Sequence, residues 1–164
     1  MAIWLPVVFL VGALPILLRT RRIRQLAREH GYIFLGTTPR RPFDLSGTTF
    51  AMKEYSTRNL LLMAHEGTEI AYCDLRSGQG KGAVRYSIAA FRREGPLEGS
   101  AVPRDRIGSY QFQVAEDWLI ASLRYLPPAD EVDIWSQEAR QLAISLLEQA
   151  EGKGIPTPRF FTGL

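Results

Sequence analysis

The stretch NLLLMAHEGTEIAYCDL, residues 59–75, decides the fold. Glu66-Gly67 divides it as a two-residue turn, with glycine where positive φ is needed. The flanking runs, 59–65 and 68–75, carry side chains with the period of two expected of β-strands. Folded about that turn, Met63 faces Ile70 and Leu61 faces Tyr72. Leu60 and Leu62 point to the other face with Ala71 and Cys73. Apolar residues on both faces predict a hairpin that is central in its sheet and covered on both sides.

Toward the C-terminus, SGQGKG at 77–82 reads as a flexible loop leading to a third strand over 84–91. There Val84, Tyr86 and Ile88 alternate with Arg85 and Ser87. Residues 94–106, with Gly95-Pro96, Gly99-Ser100 and Pro103, read as an irregular excursion. Tyr110, Phe112 and Val114 alternate with polar residues in a half-exposed strand, and Glu116-Asp117 turns it into a fifth strand over 118–126. Pro127-Pro128 ends the sheet. Asp130 is placed to cap a helix from Glu131 to about Ala150. Its stripe of Trp135, Ala139, Leu142, Leu146 and Ala150 predicts packing on the sheet face that carries Leu61, Met63, Ile70 and Tyr72. Gly152 and Gly154 end that helix, and a tail follows with Phe160-Phe161.

Toward the N-terminus, 37–42 (TTPRRP) is a connector and 32–35 a short strand candidate. Ile23, Leu26, Ala27 and His30 keep helical spacing, and Gly31 is a natural helix stop. Residues 2–18, AIWLPVVFLVGALPILL, carry no charge and are closed by Arg19, Arg21, Arg22 and Arg24. A cleaved signal peptide would need basic residues before the run and small ones at the cut. A core helix would show a polar face. A transmembrane anchor is the remaining reading, short at seventeen residues, or roughly 26 Å, for a bilayer core of about 30 Å. Basic flanks stay on the cytoplasmic side, so the N-terminus is expected outside and the body in the cytosol. The expected organisation is an anchor at 1–18, a basic juxtamembrane helix at 19–31, a cytosolic domain at 32–151 and a tail at 152–164. The fold class read from the sequence is α+β: an N-terminal transmembrane helix, then an antiparallel β-meander of about five strands packed by a C-terminal amphipathic helix.

The net charge is +3 over 164 residues, with 20 basic and 17 acidic side chains. The predicted isoelectric point is near 9.2. Five arginines lie between 19 and 28, and setting them aside leaves 15 basic against 17 acidic residues. The basic excess is therefore local. Arg19, Arg21, Arg22, Arg24 and Arg28 are expected to contact anionic headgroups at the membrane surface, and nucleic acid is not expected as a partner. Cys73 is the only cysteine, so no disulfide within the chain is possible.

Candidate chemistry is sparse. The run Gly78-Gln79-Gly80-Lys81-Gly82 lacks the hydroxyl residue after lysine that a phosphate loop needs, and it joins two strands. Only His30 and His65 could serve as imidazole ligands, too few for a metal centre. Cys73 lies mid-strand, where cysteine behaves as a small apolar residue. The acidic groups Glu116-Asp117 and Asp130, Glu131, Asp133 fall at a turn and a helix start, where acids are expected on structural grounds. No cofactor, metal or catalytic residue is expected.

The order of features does resemble a known group. A basic helix ends in Leu26-Ala27-x-x-x-Gly31-Tyr32. Asn59-Leu60-Leu61, a hairpin, and Tyr72-Cys73-Asp74-Leu75 follow. A glycine/lysine loop then precedes Tyr86 to Phe91, closing on Ala89-Ala90-Phe91-Arg92. This pattern is similar to bacterial single-pass membrane proteins of unknown role with an N-terminal anchor and a small cytosolic β-rich domain. The resemblance implies no activity. The expected role is non-catalytic, binding or scaffolding at the inner membrane face, with lipid and an unidentified protein as partners. The alternative is an enzyme with a dispersed active site.

Overall fold

A computed structural model of the chain describes residues 4–38, 43, 45, 48–50, 55–65, 67–78, 83–92, 106–107, 110–115 and 118–150. Within these, two helices, α1 (Trp4–His30) and α2 (Val132–Ala150), accompany seven strands. The strands are β1 (Ile33–Gly36), β2 (Tyr55–His65), β3 (Thr68–Ser77), β4 (Val84–Arg92), β5 (Arg106–Ile107), β6 (Tyr110–Ala115) and β7 (Trp118–Leu123). They form one antiparallel sheet in the order β1-β2-β3-β4-β7-β6-β5. Six strands are substantial, and β5 adds only two residues at the far edge.

The central hairpin forms in the register expected of its turn. Leu61 pairs with Tyr72, Met63 with Ile70, and His65 closes on Thr68. Gly67 takes φ +77°, a conformation that costs glycine no clash with a Cβ. Both sheet faces are covered. One face, through Leu61, Ile70, Tyr72, Ala89 and Leu123, meets Ile23, Leu26 and Ala27 of α1 and Val132, Trp135 and Ala139 of α2. Trp135 lies edge-on to Tyr72 at 5.7 Å and stacks on Tyr110 at 6.1 Å. Leu142 packs at the margin of the same cluster. The other face, through Leu60, Cys73, Leu75, Ile88 and Ile120, is covered by Phe43, Leu45 and Phe50. These three come from the connector between β1 and β2.

The helix ends follow from local chemistry. Gly31 takes φ +71°, and the Tyr32 N–H donates to the Ala27 carbonyl, five residues back, at 2.8 Å, closing α1. α2 begins at Val132, where the Trp135 N–H bonds the Glu131 carbonyl at 2.8 Å. Glu131 therefore stands at the cap position that the sequence assigned to Asp130. The glycines at 152 and 154 and the tail lie outside the described residues, as do the turn at 116–117 and the loop at 79–82.

Two expectations are overturned. The strands do not form a simple meander. β4 pairs with β7 rather than with β6, so β5 stands at the far edge and β6 and β7 return inward from it. The reason lies in composition. β7, WLIASL, is buried along its whole length and suits the centre, whereas β6 alternates with glutamines.

The membrane span is the second. Among the described residues, no helix is long and apolar enough to cross a membrane. The charge-free part of α1, Trp4 to Leu18, is fifteen helical residues, roughly 22 Å against about 30 Å of hydrocarbon. The rest of the same helix carries the arginines and the buried Ile23, Leu26 and Ala27. The single-pass reading, with its outside N-terminus and cytosolic body, falls with the span.

Candidate functional site

The chief polar constellation of the described residues sits where α1 crosses the open end of the β2–β3 hairpin, away from its turn. It begins with an irregularity in β2. Arg58 pairs with Asp74 and Leu61 with Tyr72, so Asn59 and Leu60 together oppose Cys73. This bulge puts Asn59 at φ +53°, in the left-handed region that asparagine tolerates better than most residues. Leu60 stays in the far core, and the Asn59 amide is aimed at Asp74 instead.

Asp74 is buried and saturated. Its Oδ2 accepts from Arg19 Nε at 2.8 Å and Asn59 Nδ2 at 2.7 Å. Its Oδ1 accepts from the Tyr72 hydroxyl at 2.6 Å and Arg19 Nη2 at 3.1 Å. Arg19 Nη2 also donates to the Tyr72 hydroxyl at 2.8 Å, and Nη1 donates to the Pro127 carbonyl. Ser87 Oγ lies 3.2 Å from the Tyr72 hydroxyl and donates to the Tyr125 carbonyl at 3.0 Å. One guanidinium thus ties α1 to β3 and to the segment between β7 and α2.

Two groups of the network, Arg19 and Tyr72, are displaced from their ordinary pKa values. Burial alone would lower the Arg19 pKa, but the hydrogen bond and charge of Asp74, with Tyr72, outweigh it and the net shift is upward. Tyr72 is raised well above its ordinary value, first by burial and then by the neighbouring Asp74 charge, which Arg19 partly opposes. Tyr72 is therefore a neutral donor. A carboxylate with all four acceptor positions filled is not free to take a proton from a substrate.

Beside this network lies a cavity of about 170 Å³. Pro15, Ile16 and Leu126 form an apolar side, and Arg58, Arg76 and Arg85 line it with the Arg19–Asp74 pair. Arg76 and Arg85 are directly opposed across β3 and β4. Among the described residues, Arg19 has the Asp74 carboxylate at 2.8 Å, and the other close pairs, Arg92–Glu69 and His30–Asp133, lie elsewhere. The Arg76 Nε is buried and has no hydrogen-bond partner among the described residues.

The residues singled out in the sequence are dispersed. Of the arginine cluster, Arg19 is turned into the domain with a side chain 14% exposed, so it is not a headgroup contact. Arg21, Arg22, Arg24 and Arg28 are exposed, and Arg24 lies over the Phe34 ring at 5.2 Å. His30 stacks on Tyr32 and approaches Asp133 at 3.9 Å. His65 sits at the hairpin turn. Cys73 is buried five residues along β3 from Thr68, the partner of His65, a separation of roughly 17 Å. No group of three or more metal-ligating side chains occurs among the described residues.

Sequence reasoning missed Arg58, Arg76 and Arg85. Their common signal is weak: one arginine near the same end of each of three strands. Arg19 left a clearer one, since 19, 23, 26 and 27 fall on the buried stripe of α1 and 21, 22, 24 and 28 do not. Comparison with known proteins returns no family model, no curated protein and no solved structure that matches the chain.

Proposed function

We propose that this chain is a binding domain rather than an enzyme, and that its arginine-lined pocket holds an acidic ligand. The observation that carries this reading is the placement of Arg76 opposite Arg85 on the pocket wall. Like charges directly opposed in a sheet are destabilising, so an anion between them is the natural complement. The saturated Asp74 supports the non-catalytic half of the reading. It locks α1 over the pocket with its acceptor positions filled, and the hydroxyls nearest to it, Tyr72 and Ser87, are themselves engaged in hydrogen bonds.

The test is thermal unfolding of the full chain against a panel of small mono-, di- and trivalent anions at constant ionic strength. At least one multivalent anion should raise the midpoint with saturation, because a ligand bound only by the folded state stabilises it. Arg76→Gln or Arg85→Gln should remove the increment. A panel in which every anion acts alike, or in which both variants respond as the parent does, would refute the reading.

A further inference from the structure

The charge balance of the pocket narrows the ligand class, an inference that rests on the acidic-ligand reading. Asp74 neutralises Arg19, which leaves Arg58, Arg76 and Arg85 facing the cavity with no ion pair to a described carboxylate. Three cations are poorly matched by a monocarboxylate. They are well matched by a group of charge near −2 with three acceptor oxygens, which is a phosphate monoester at neutral pH. Arginine suits it further, because its planar fork gives parallel hydrogen bonds to phosphate.

Geometry agrees. Directly opposed residues of an antiparallel pair have Cα atoms about 4.5–5.5 Å apart, so the guanidinium groups of Arg76 and Arg85 can straddle one tetrahedral group. Arg58, opposite Asp74 on β2, supplies a third donor from the side. The unpartnered, buried Arg76 Nε is a fixed donor in want of an acceptor. Size sets the rest of the molecule. About 170 Å³ lies below the roughly 300–1,000 Å³ of pockets that enclose drug-sized ligands. It takes a phosphoryl group with a small substituent, and Pro15, Ile16 and Leu126 make the wall beside that substituent apolar. We infer that the pocket between α1 and the β2–β3–β4 end of the sheet is a site for a small phosphate monoester with an apolar substituent.

The experiment is calorimetric titration of the full chain with phenyl phosphate and, separately, with phenyl sulfate, which has a similar shape but one charge. Phenyl phosphate should bind one to one, at least tenfold tighter than the sulfate at pH 7.5. That preference should shrink toward pH 5, as the phosphate loses its second charge near pH 6. Arg76→Gln and Arg85→Gln should each weaken binding at least tenfold, and Arg28→Gln, on the exposed side of α1, should not. Arg85 is exposed, so its variant tests the site even if Arg76→Gln disturbs the fold.

Equal binding of the two esters, or phosphate binding undiminished in both variants, would overturn the inference. Binding to phosphatidic acid vesicles without binding to phenyl phosphate would also overturn it, in favour of a lipid source. Citrate or malonate bound at Arg76 and Arg85 with no phenyl phosphate binding would overturn the phosphate class and leave the acidic-ligand reading standing. Failure of every anion would remove both.

Discussion

Replacing Asp74 by alanine should be among the most damaging single changes at the pocket. The substitution deletes a carboxylate that accepts four hydrogen bonds and leaves Arg19 in place, its side chain 14% exposed. Removing one partner of a buried ion pair costs about 3–5 kcal/mol, because the other charge stays desolvated. Arg19 retains the Tyr72 hydroxyl and the Pro127 carbonyl, which puts the expected loss at the low end, about 3 kcal/mol. Total stabilities of about 5–15 kcal/mol make that a large fraction. For a domain of this size it lowers Tm by about 6–12 °C. Arg19→Met should cost less, about 2 kcal/mol, since Asp74 keeps Asn59 and Tyr72 as donors. The double variant should be less destabilised than the sum of the two, with a coupling of about 1–3 kcal/mol. Urea unfolding followed by far-ultraviolet circular dichroism measures all three. An Asp74→Ala loss below about 1 kcal/mol, or additivity within about 0.5 kcal/mol, would mean that the network does not hold α1 to the sheet.

Three further outcomes are expected. Trp135→Ala should cost about 3–5 kcal/mol and Leu142→Ala, at the cluster margin, about 2 kcal/mol, with the exposed Gln141→Ala as a silent control in the same unfolding assay. Arg76→Gln, measured without ligand, should leave stability unchanged or raise it by up to about 1 kcal/mol, since it relieves the opposition to Arg85; a large loss would show that Arg76 serves the fold. At alkaline pH the buried Tyr72 and the partly buried Tyr110 should set the limit. Tyr72 is raised well above its usual range and Tyr110 is pushed up to about 12, chiefly by burial. The native state then holds protons that the unfolded state releases near pH 10, so stability is intact below pH 10 and falls as pH rises toward about 12. Tyrosinate absorbance that develops fully near pH 10 while the fold persists would contradict this.

Legibility in the sequence followed the range of the interaction. The hairpin register was readable because a two-residue turn fixes it and both faces carry apolar side chains. The α2 stripe was readable because helical spacing is local. The strand order was not, since nothing near β6 records that β7 inserts between it and β4. The largely apolar β7 could have pointed to a central position, but chain order suggested a meander. The cover over the far face was missed too. Phe43, Leu45 and Phe50 come from a connector with no period, and Phe50 finds its edge-on contacts with Tyr55 and Tyr86 only after folding. The apolar N-terminal run misled for the opposite reason. Hydropathy over 2–18 is local, whereas the packing of 23, 26 and 27 against a sheet is not.

The site shows why arginines that look alike in sequence differ in chemistry. Arg19 and Arg21 stand two positions apart on one helix, about 200° around its axis, so one reaches inward and the other outward. Arg19 then meets the acid that a bulge in β2 helps to position, and its charge is matched inside the protein. Arg58, Arg76 and Arg85 meet beside that pair through strand register alone, and the cavity they share is open to a ligand. Asn59 at φ +53°, Arg76 opposite Arg85, and a buried Nε without an acceptor are three local features unfavourable to stability, and all three border one cavity. Folded chains concentrate such conflicts where binding or chemistry needs them, since elsewhere they carry a cost with no gain. The clustering, more than any single residue, directs the functional argument to this pocket rather than to the exposed face of α1.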